Sequence, residues 1–298
     1  MILRSMLYAP GNNQKVITKA ATLPIDSVIL DLEDAVPLPD KETARILVRD
    51  SITLYRECSS YVFVRVNSMV TSLTKEDLKI VVVQGLHGVM LAKTEDSSEV
   101  CALDEMLTEA EKKRGMEVGL IRIVPLIESA KGVIKSYEIT SASSRIEGLA
   151  FGAGDYYRDL GGDVGALSYE ETELLYARSQ IVNTSKAAGI QAIDTPYLGL
   201  LQDRDRFLNQ IKIAKQLGFS GKQCIHPTQI DPVNDAFSPS ENEVAYASRL
   251  VEAFKEAEAK GMGAISFEGK MIDRMSYLKA KELLDRKKAI TEREKNRA

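Results

Sequence analysis

Three carboxylates, Asp31, Glu33 and Asp34, fall within four positions directly behind the apolar, β-branched run SVIL at 27–30. Such a cluster is costly to desolvate unpaired, so it calls for cations, a bound metal ion or both. Glu128, in PLIESAKG, and Asp155, in FGAGDYYRDLG, follow two further apolar runs that are consecutive in the chain. Two carboxylates on neighbouring strand ends, with no His or Cys pair nearby, suit hard Mg²⁺, which keeps several waters or substrate oxygens in its shell. The plainer alternative is one helix cap and one surface acid. Arg65 interrupts the apolar run VFVRVN, and a guanidinium is almost never buried without a partner. It can grip a substrate carboxylate with two hydrogen bonds or stabilise an enolate oxygen as charge develops. It can also pair structurally with Glu33 or Asp34, and these acids would then orient Arg65 and the waters of an ion from behind.

Other residues are less specific. Lys15 and Lys19 stand four apart on one face of a predicted helix, after the turn Pro10-Gly11-Asn12; they read as solvated lysines or as holders of phosphate. His226, in CIHPTQI, reads equally as a base or as a hydrogen-bonded structural group. Cys224 has no evident histidine partner, which argues against a nucleophile. GAGD at 152–155 lacks the strand-GxGxxG-helix form and no Walker lysine motif occurs, so there is no nucleotide fingerprint. Asp273, in KMID, reads by itself as part of a polar loop.

The elements that must position these groups are legible as eight short apolar runs alternating with helical segments: SMLYA, SVILDL, YVFVRV, GVMLA, GLIRIVPLI, IEGLAF, IQAID and KQCI. Eight βα units predict a (β/α)₈ TIM barrel, whose chemistry gathers where the strands end. Seven consecutive runs are followed by polar or ionisable groups (the Asp31 cluster, Arg65 with Asn67, Lys93, Glu128, Asp155, Asp194 with Thr195, His226). An open doubly wound sheet would concentrate its site near a switch point instead. Ser168 with Glu171, and Ser240 with Glu243 in SPSENE, predict capped helix starts. The second opens a helix with Val244, Ala247, Leu250, Val251 and Phe254 on one apolar face. Gly115, Gly189 and Gly218 mark helix ends. Residues 1–237 are expected to form the barrel, and 238–298 a helical extension serving as a lid or subunit contact.

The totals narrow the class. The 298 residues are 44% hydrophobic, enough for a sizeable core. With 39 basic and 43 acidic residues, net −4, and no long basic run, neither nucleic acid nor an anionic membrane is an expected partner. Three cysteines (Cys58, Cys101, Cys224) without metal-type spacing fit a reducing compartment. With no long apolar run, and Met1 close to the first strand, a cytoplasmic protein is the expectation.

The strings RSMLYAPGN, DLEDAV, VRVN, IES, FGAGDY, AIDTPY, GKQCIHPTQI and GKMID, in this order, resemble the citrate lyase beta-subunit-like family of the HpcH/HpaI aldolase superfamily, over residues 3 to 285 or so. The resemblance implies a (β/α)₈ barrel, a homotrimer or hexamer, and Mg²⁺-dependent cleavage of 3-hydroxyacyl-CoA thioesters to acetyl-CoA and a 2-oxo acid. It implies Glu128 and Asp155 as metal ligands, Arg65 as the substrate arginine, and Tyr8, Lys15, Lys19, Gln223 and Cys224 beside coenzyme A. Asp273 becomes the acid/base, delivered from a neighbouring subunit, and Glu33 and Asp34 support Arg65 and the ion. Three positions depart from the pattern: Gly154 stands where many relatives have Glu, Glu268 where they have Asp, Asn or Gln, and Met275 where Pro is common. The first of these widens the pocket. Citramalyl-CoA is the preferred substrate on the strength of the IHP and GKQ strings. The alternatives are the beta subunit of citrate lyase acting on a citryl thioester of an acyl carrier protein, a malate synthase or thioesterase-like enzyme, and a non-enzymatic CoA-binding protein.

Overall fold

The computed structural model describes residues 1–55, 58, 60–259 and 261–296. Eight parallel strands close into a barrel in sequence order: β1 (Ser5–Pro10), β2 (Ser27–Asp31), β3 (Tyr61–Val66), β4 (Gly88–Leu91), β5 (Arg122–Ile127), β6 (Gly148–Phe151), β7 (Gln191–Asp194) and β8 (Gly221–Cys224). The predicted (β/α)₈ class is therefore the observed one: five strands are one to three residues shorter than their runs, β3 matches, β1 extends to Pro10 and β8 begins at Gly221. Helices α1 (Gln14–Ala20), α2 (Lys41–Ser51), α3 (Leu73–Val81), α4 (Ser97–Lys113), α5 (Ala130–Ile134), α6 (Ser136–Thr140), α7 (Ala153–Asp159), α8 (Leu175–Ala187), α9 (Arg204–Leu217) and α10 (Ile230–Phe237) run between and after the strands. No helix among the described residues is long and apolar enough to cross a membrane.

Strand register explains how this barrel presents its site. Paired residues share a face, and side chains alternate along each strand. Leu3, Met6, Ile29, Phe63, Met90, Val124, Leu126, Ala150 and Ile193 form one buried cluster, the packed interior expected of such a barrel. On five strands the inward residue two positions further along lines a cavity: Tyr8 after Met6, Asp31 after Ile29, Arg65 after Phe63, Glu128 after Leu126 and Thr195 after Ile193. Polarity thus begins one inward step beyond the apolar fill.

The opposite face of β7 and β8 holds a buried ion cluster. Asp194 accepts from Arg178 of α8 at 2.8 Å and from Lys222 at 2.6 Å, and all three side chains are at most 1% exposed. Glu171, in the left-handed region at φ 51, turns inward to accept from Gln210 and lies 3.8 Å from Arg178. This corrects the expected cap: Ser168 donates to the Glu173 carboxylate from its hydroxyl at 2.7 Å and its backbone N–H at 3.2 Å, while its hydroxyl oxygen accepts from the Thr172 N–H at 3.3 Å. Burial with a guanidinium at hand holds Glu171 where a surface cap would leave it solvated.

The chain divides into two compact units, one of Met1 with Leu3–Asp235 and one of Ile2 with Ala236–Ala298. In the second, α11 (Glu241–Glu258), a hairpin of β9 (Ala264–Phe267) and β10 (Lys270–Asp273), and α12 (Arg274–Lys295) follow in order. Ser240 and Glu243 form the expected capping box. Ala247, Leu250, Val251 and Phe254 pack with Ile272 and Ala280, while Val244 is only half-buried. Glu268 and Gly269 make the hairpin turn with φ 49 and 75, a conformation that Asn or Asp adopts with less strain. The Glu268 carboxylate compensates by pairing with Arg249 at 2.8 Å.

Candidate active site

A cavity of about 380 Å³ opens at the carboxyl ends of the barrel strands, lined among others by Tyr8, Asp31, Asp34, Arg65, Glu128, Asp155, Thr195 and Gln223. Arg65 donates to both Asp31 oxygens, from Nε at 2.7 Å and Nη2 at 2.6 Å, and its Nη1 lies 3.3 Å from Glu33. Its guanidinium sits 4.9 Å from the centroid of the Tyr8 ring. Asp31, 1% exposed, also accepts from the backbone N–H groups of Glu33 and Ala35, which folds the acidic loop around its own first carboxylate. The expected pairing with Glu33 is present, but the principal partner is Asp31 and not Asp34; a guanidinium still carries more N–H donors than these two acids use.

Lys93 is the residue whose weight the sequence understated. Its ammonium donates to Glu33 at 2.5 Å and to Asp34 at 3.1 Å and lies 3.7 Å from Asp155, while its backbone N–H donates to Glu128 at 3.2 Å. Lys93 adopts φ 52, a left-handed conformation costing a non-glycine residue roughly 1–3 kcal/mol; the contacts on both its backbone and side chain hold it there. Partial burial opposes its charge, but Glu33 and Asp34 hold its pKa well above the usual lysine range. It is a fixed cation, unsuited to act as a base. Its signal in the sequence was a lone lysine at the end of an apolar run.

Glu128 is buried, and its only hydrogen bond among the described residues is the one from Lys93. Burial, reinforced by Glu33 and Asp155 against the pull of Arg65, pushes its carboxyl up to about 8. The carboxylate lies against Gly152, where a Cβ would come within 2.5 Å of Oε1, so only glycine admits it. Asp155 stands in the first turn of α7, paired with Arg158 at 2.5 Å. Helix α7 is anchored at both ends: the Ala153 N–H donates to Thr195 Oγ1 at 3.0 Å, and Asp159 accepts from the Ala130 N–H at 2.8 Å. Asp159 thus ties the helix that carries Asp155 to the residue two beyond Glu128.

These residues fit a hard divalent cation. Glu128, raised by burial and then by its neighbouring carboxylates, has no ion pair of its own among the described residues, and both donors are oxygen. Among the described residues no group of three or more His, Cys, Asp or Glu is placed to hold a metal ion, so an ion on Glu128 and Asp155 would have to take its other ligands from water or substrate.

The remaining expected site residues are Gln223, which lines the cavity, and Cys224, Lys15, Lys19, His226 and Asp273, which are not in its lining. Gln223 accepts from the Tyr8 hydroxyl at 2.8 Å and donates to the carbonyls of Phe151 and Asp194, so it staples β6, β7 and β8 beneath Tyr8. Cys224 is fully buried on the outward face of β8, its thiol pushed up to about 12 by burial; the alternation that turns Gln223 inward keeps this side chain off the cavity. Lys15 and Lys19 are exposed on α1, outside the cavity lining. His226 caps a short turn, its Nδ1 accepting from the Thr228 N–H at 3.3 Å and lying 2.8 Å from the Thr228 hydroxyl, the structural alternative. Asp273 is exposed at the start of α12, where it accepts from the Ser276 N–H and hydroxyl, both at 2.8 Å.

Comparison with known proteins adds a family. Residues 4–227 match the HpcH/HpaI aldolase/citrate lyase family. The citrate lyase subunit beta of Haemophilus influenzae is 40% identical over 288 residues, 96% of this chain and 97% of that protein. The mitochondrial citramalyl-CoA lyase of Homo sapiens is 34% identical over 281 residues, 91% of this chain and 81% of that one. The structure of CitE from Mycobacterium tuberculosis in complex with magnesium, acetoacetate and coenzyme A aligns with TM-score 0.73 and 28% identity, covering 96% of this chain and 98% of that one.

Proposed function

The chain belongs to the HpcH/HpaI aldolase/citrate lyase family, and from that membership and the site geometry we propose that it is a Mg²⁺-dependent carbon–carbon lyase cleaving a 3-hydroxyacyl thioester into a 2-oxo acid and acetyl thioester. The observation that carries this reading is the buried, charge-crowded Glu128 beside Asp155 in a cavity that also contains Arg65. Glu128 and Asp155 would hold the ion, whose chemistry is to polarise the substrate's hydroxyl and carboxylate oxygens.

In the cleavage direction the bond between the hydroxyl-bearing carbon and the carbon next to the thioester breaks. Its electron pair passes into the thioester carbonyl as an enolate, the hydroxyl proton goes to a base, and a proton returns to the enolate carbon. The N–H groups of Arg65 not used by Asp31 and Glu33 are assigned to the developing enolate oxygen, a fixed charge needing no reorganisation. Asp31 and Glu33 hold that guanidinium, Lys93 fixes Glu33 in turn, and Asp34 completes the acid network. Asp273 of a neighbouring copy is assigned the returning proton. Support comes from its exposure and from the Met271 and Met275 side chains near it in sequence, 81% and 61% exposed. Cap hydrogen bonds from Ser276 hold Asp273 below the usual carboxyl range; burial against a partner's apolar surface would raise it toward a working acid.

Among thioesters the first reading is a citryl thioester, carried on coenzyme A or an acyl carrier protein; it is supported by the greater likeness to citrate lyase subunit beta, 40% against 34% for citramalyl-CoA lyase. Citramalyl-CoA is the second reading, favoured by the apolar wall that Pro196 and Leu198 give the cavity, which suits a methyl group. The test is to incubate purified protein and Mg²⁺ with citryl-, citramalyl- and malyl-CoA and to assay each 2-oxo acid. Oxo-acid release is expected. Release of free coenzyme A alone would replace the reading with thioester hydrolysis, and binding without turnover would replace it with a CoA-binding scaffold.

A further inference from the structure

We infer that Arg158 reads the second carboxylate of the substrate, and so sets the preference between a dicarboxylic and a monocarboxylic 2-oxo acid. The inference rests on the lyase reading for the identity of the thioester, while the geometry beneath it is independent. The cations among the cavity-lining residues are Arg65 and Arg158. Arg65 is held by Asp31 and Glu33, and its remaining N–H groups are those assigned above to the enolate oxygen. Arg158 stands in the last turn of α7, its side chain 67% exposed, with a single ion pair, to Asp155 three residues back. A cation bound to Asp155 would compete for that carboxylate and leave the guanidinium available.

Space exists for what it would bind. Gly154 lines the same cavity, and a Cβ there would meet only Leu198 Cδ1, at 3.8 Å. Citryl and citramalyl thioesters differ at one substituent, a carboxymethyl in place of a methyl. Against Pro196 and Leu198 a methyl is at home, whereas a carboxylate without a cation would be costly to desolvate. A guanidinium supplies two parallel charge-assisted hydrogen bonds to such a group. Lysine offers a point charge in place of the planar fork and should recover only part of the effect.

The experiment compares wild type, Arg158→Met and Arg158→Lys with Mg²⁺ on citryl-CoA and citramalyl-CoA, following oxaloacetate and pyruvate. The ratio of kcat/KM for citryl-CoA over citramalyl-CoA is expected to fall roughly 10- to 150-fold in Arg158→Met, the range of a charge-assisted pair, mainly through KM, with partial recovery in Arg158→Lys. An unchanged ratio overturns the inference. Calorimetric titration of the same three proteins with oxaloacetate and with pyruvate, Mg²⁺ present, reads the same discrimination without turnover. Cleavage of neither thioester by wild type would count against the lyase reading alone. In that event, a ratio of dissociation constants that collapses in Arg158→Met supports the inference, and one that does not move overturns it.

Discussion

Asp194 shows how a single residue can be costly to build and costlier to remove. Burial favours its neutral form, but Arg178 and Lys222 outweigh it and hold the carboxyl below its usual range. A group lowered in the folded state contributes stability that is full above its unfolded pKa, about 4, and is lost as pH falls through the folded value. Asp194→Asn leaves two cations buried without their shared partner and is expected to lose about 3–5 kcal/mol at neutral pH. Denaturant unfolding at several pH values checks this, since the gap between wild type and variant should narrow in acid; a gap that widens would contradict it. The sequence displayed Asp194 as one more polar strand end, indistinguishable from Glu128 or Asp155. Only the alternation along β7 reveals that it faces the helices.

At the scale of elements, the barrel was legible because eight β-branched runs and their intervening helices repeat one pattern, whereas couplings between helices leave no local mark. Asp159 is such a coupling. It lies one turn beyond Asp155 on the same helix face and bonds the Ala130 N–H, fixing α7 against the segment that follows Glu128. Asp159→Ala is expected to weaken divalent-ion affinity by about 10- to 100-fold, as loss of an outer support typically does, with little change in melting temperature. Manganese binding followed by electron paramagnetic resonance checks it, and unaltered affinity would show that α7 holds its place without this tie. Lys93 was listed as a strand end but understated for the same reason: its contacts with Glu33, Asp34, Glu128 and Asp155 come from segments after three different strands, and sequence spacing does not bring them together. The cap at Ser168 was misassigned because Glu171 and Glu173 are equivalent by pattern, and burial beside Arg178 decides between them.

For the whole molecule, the proposed chemistry assigns Asp273, an exposed helix cap in the second compact unit, to the site of a neighbouring copy. If a neighbouring chain supplies it, mixing inactive Glu128→Gln with inactive Asp273→Asn should restore activity in mixed assemblies, which carry some sites with both groups intact. Activity that stays absent in verified mixed assemblies would place the acid elsewhere. The family resemblance suggested that role; the residues around Asp273 gave no such hint, since a carboxylate that works on another chain looks idle on its own. Beneath all of this lies the claim that Glu128 and Asp155 together hold one divalent ion. Titration calorimetry with Mg²⁺ on wild type, Glu128→Gln and Asp155→Asn is its most direct test. The expected result is one ion per chain in wild type and a loss of at least about a hundredfold in affinity for each variant, the upper end of what an outer-shell change alone produces. Binding that is undiminished in both variants would contradict it.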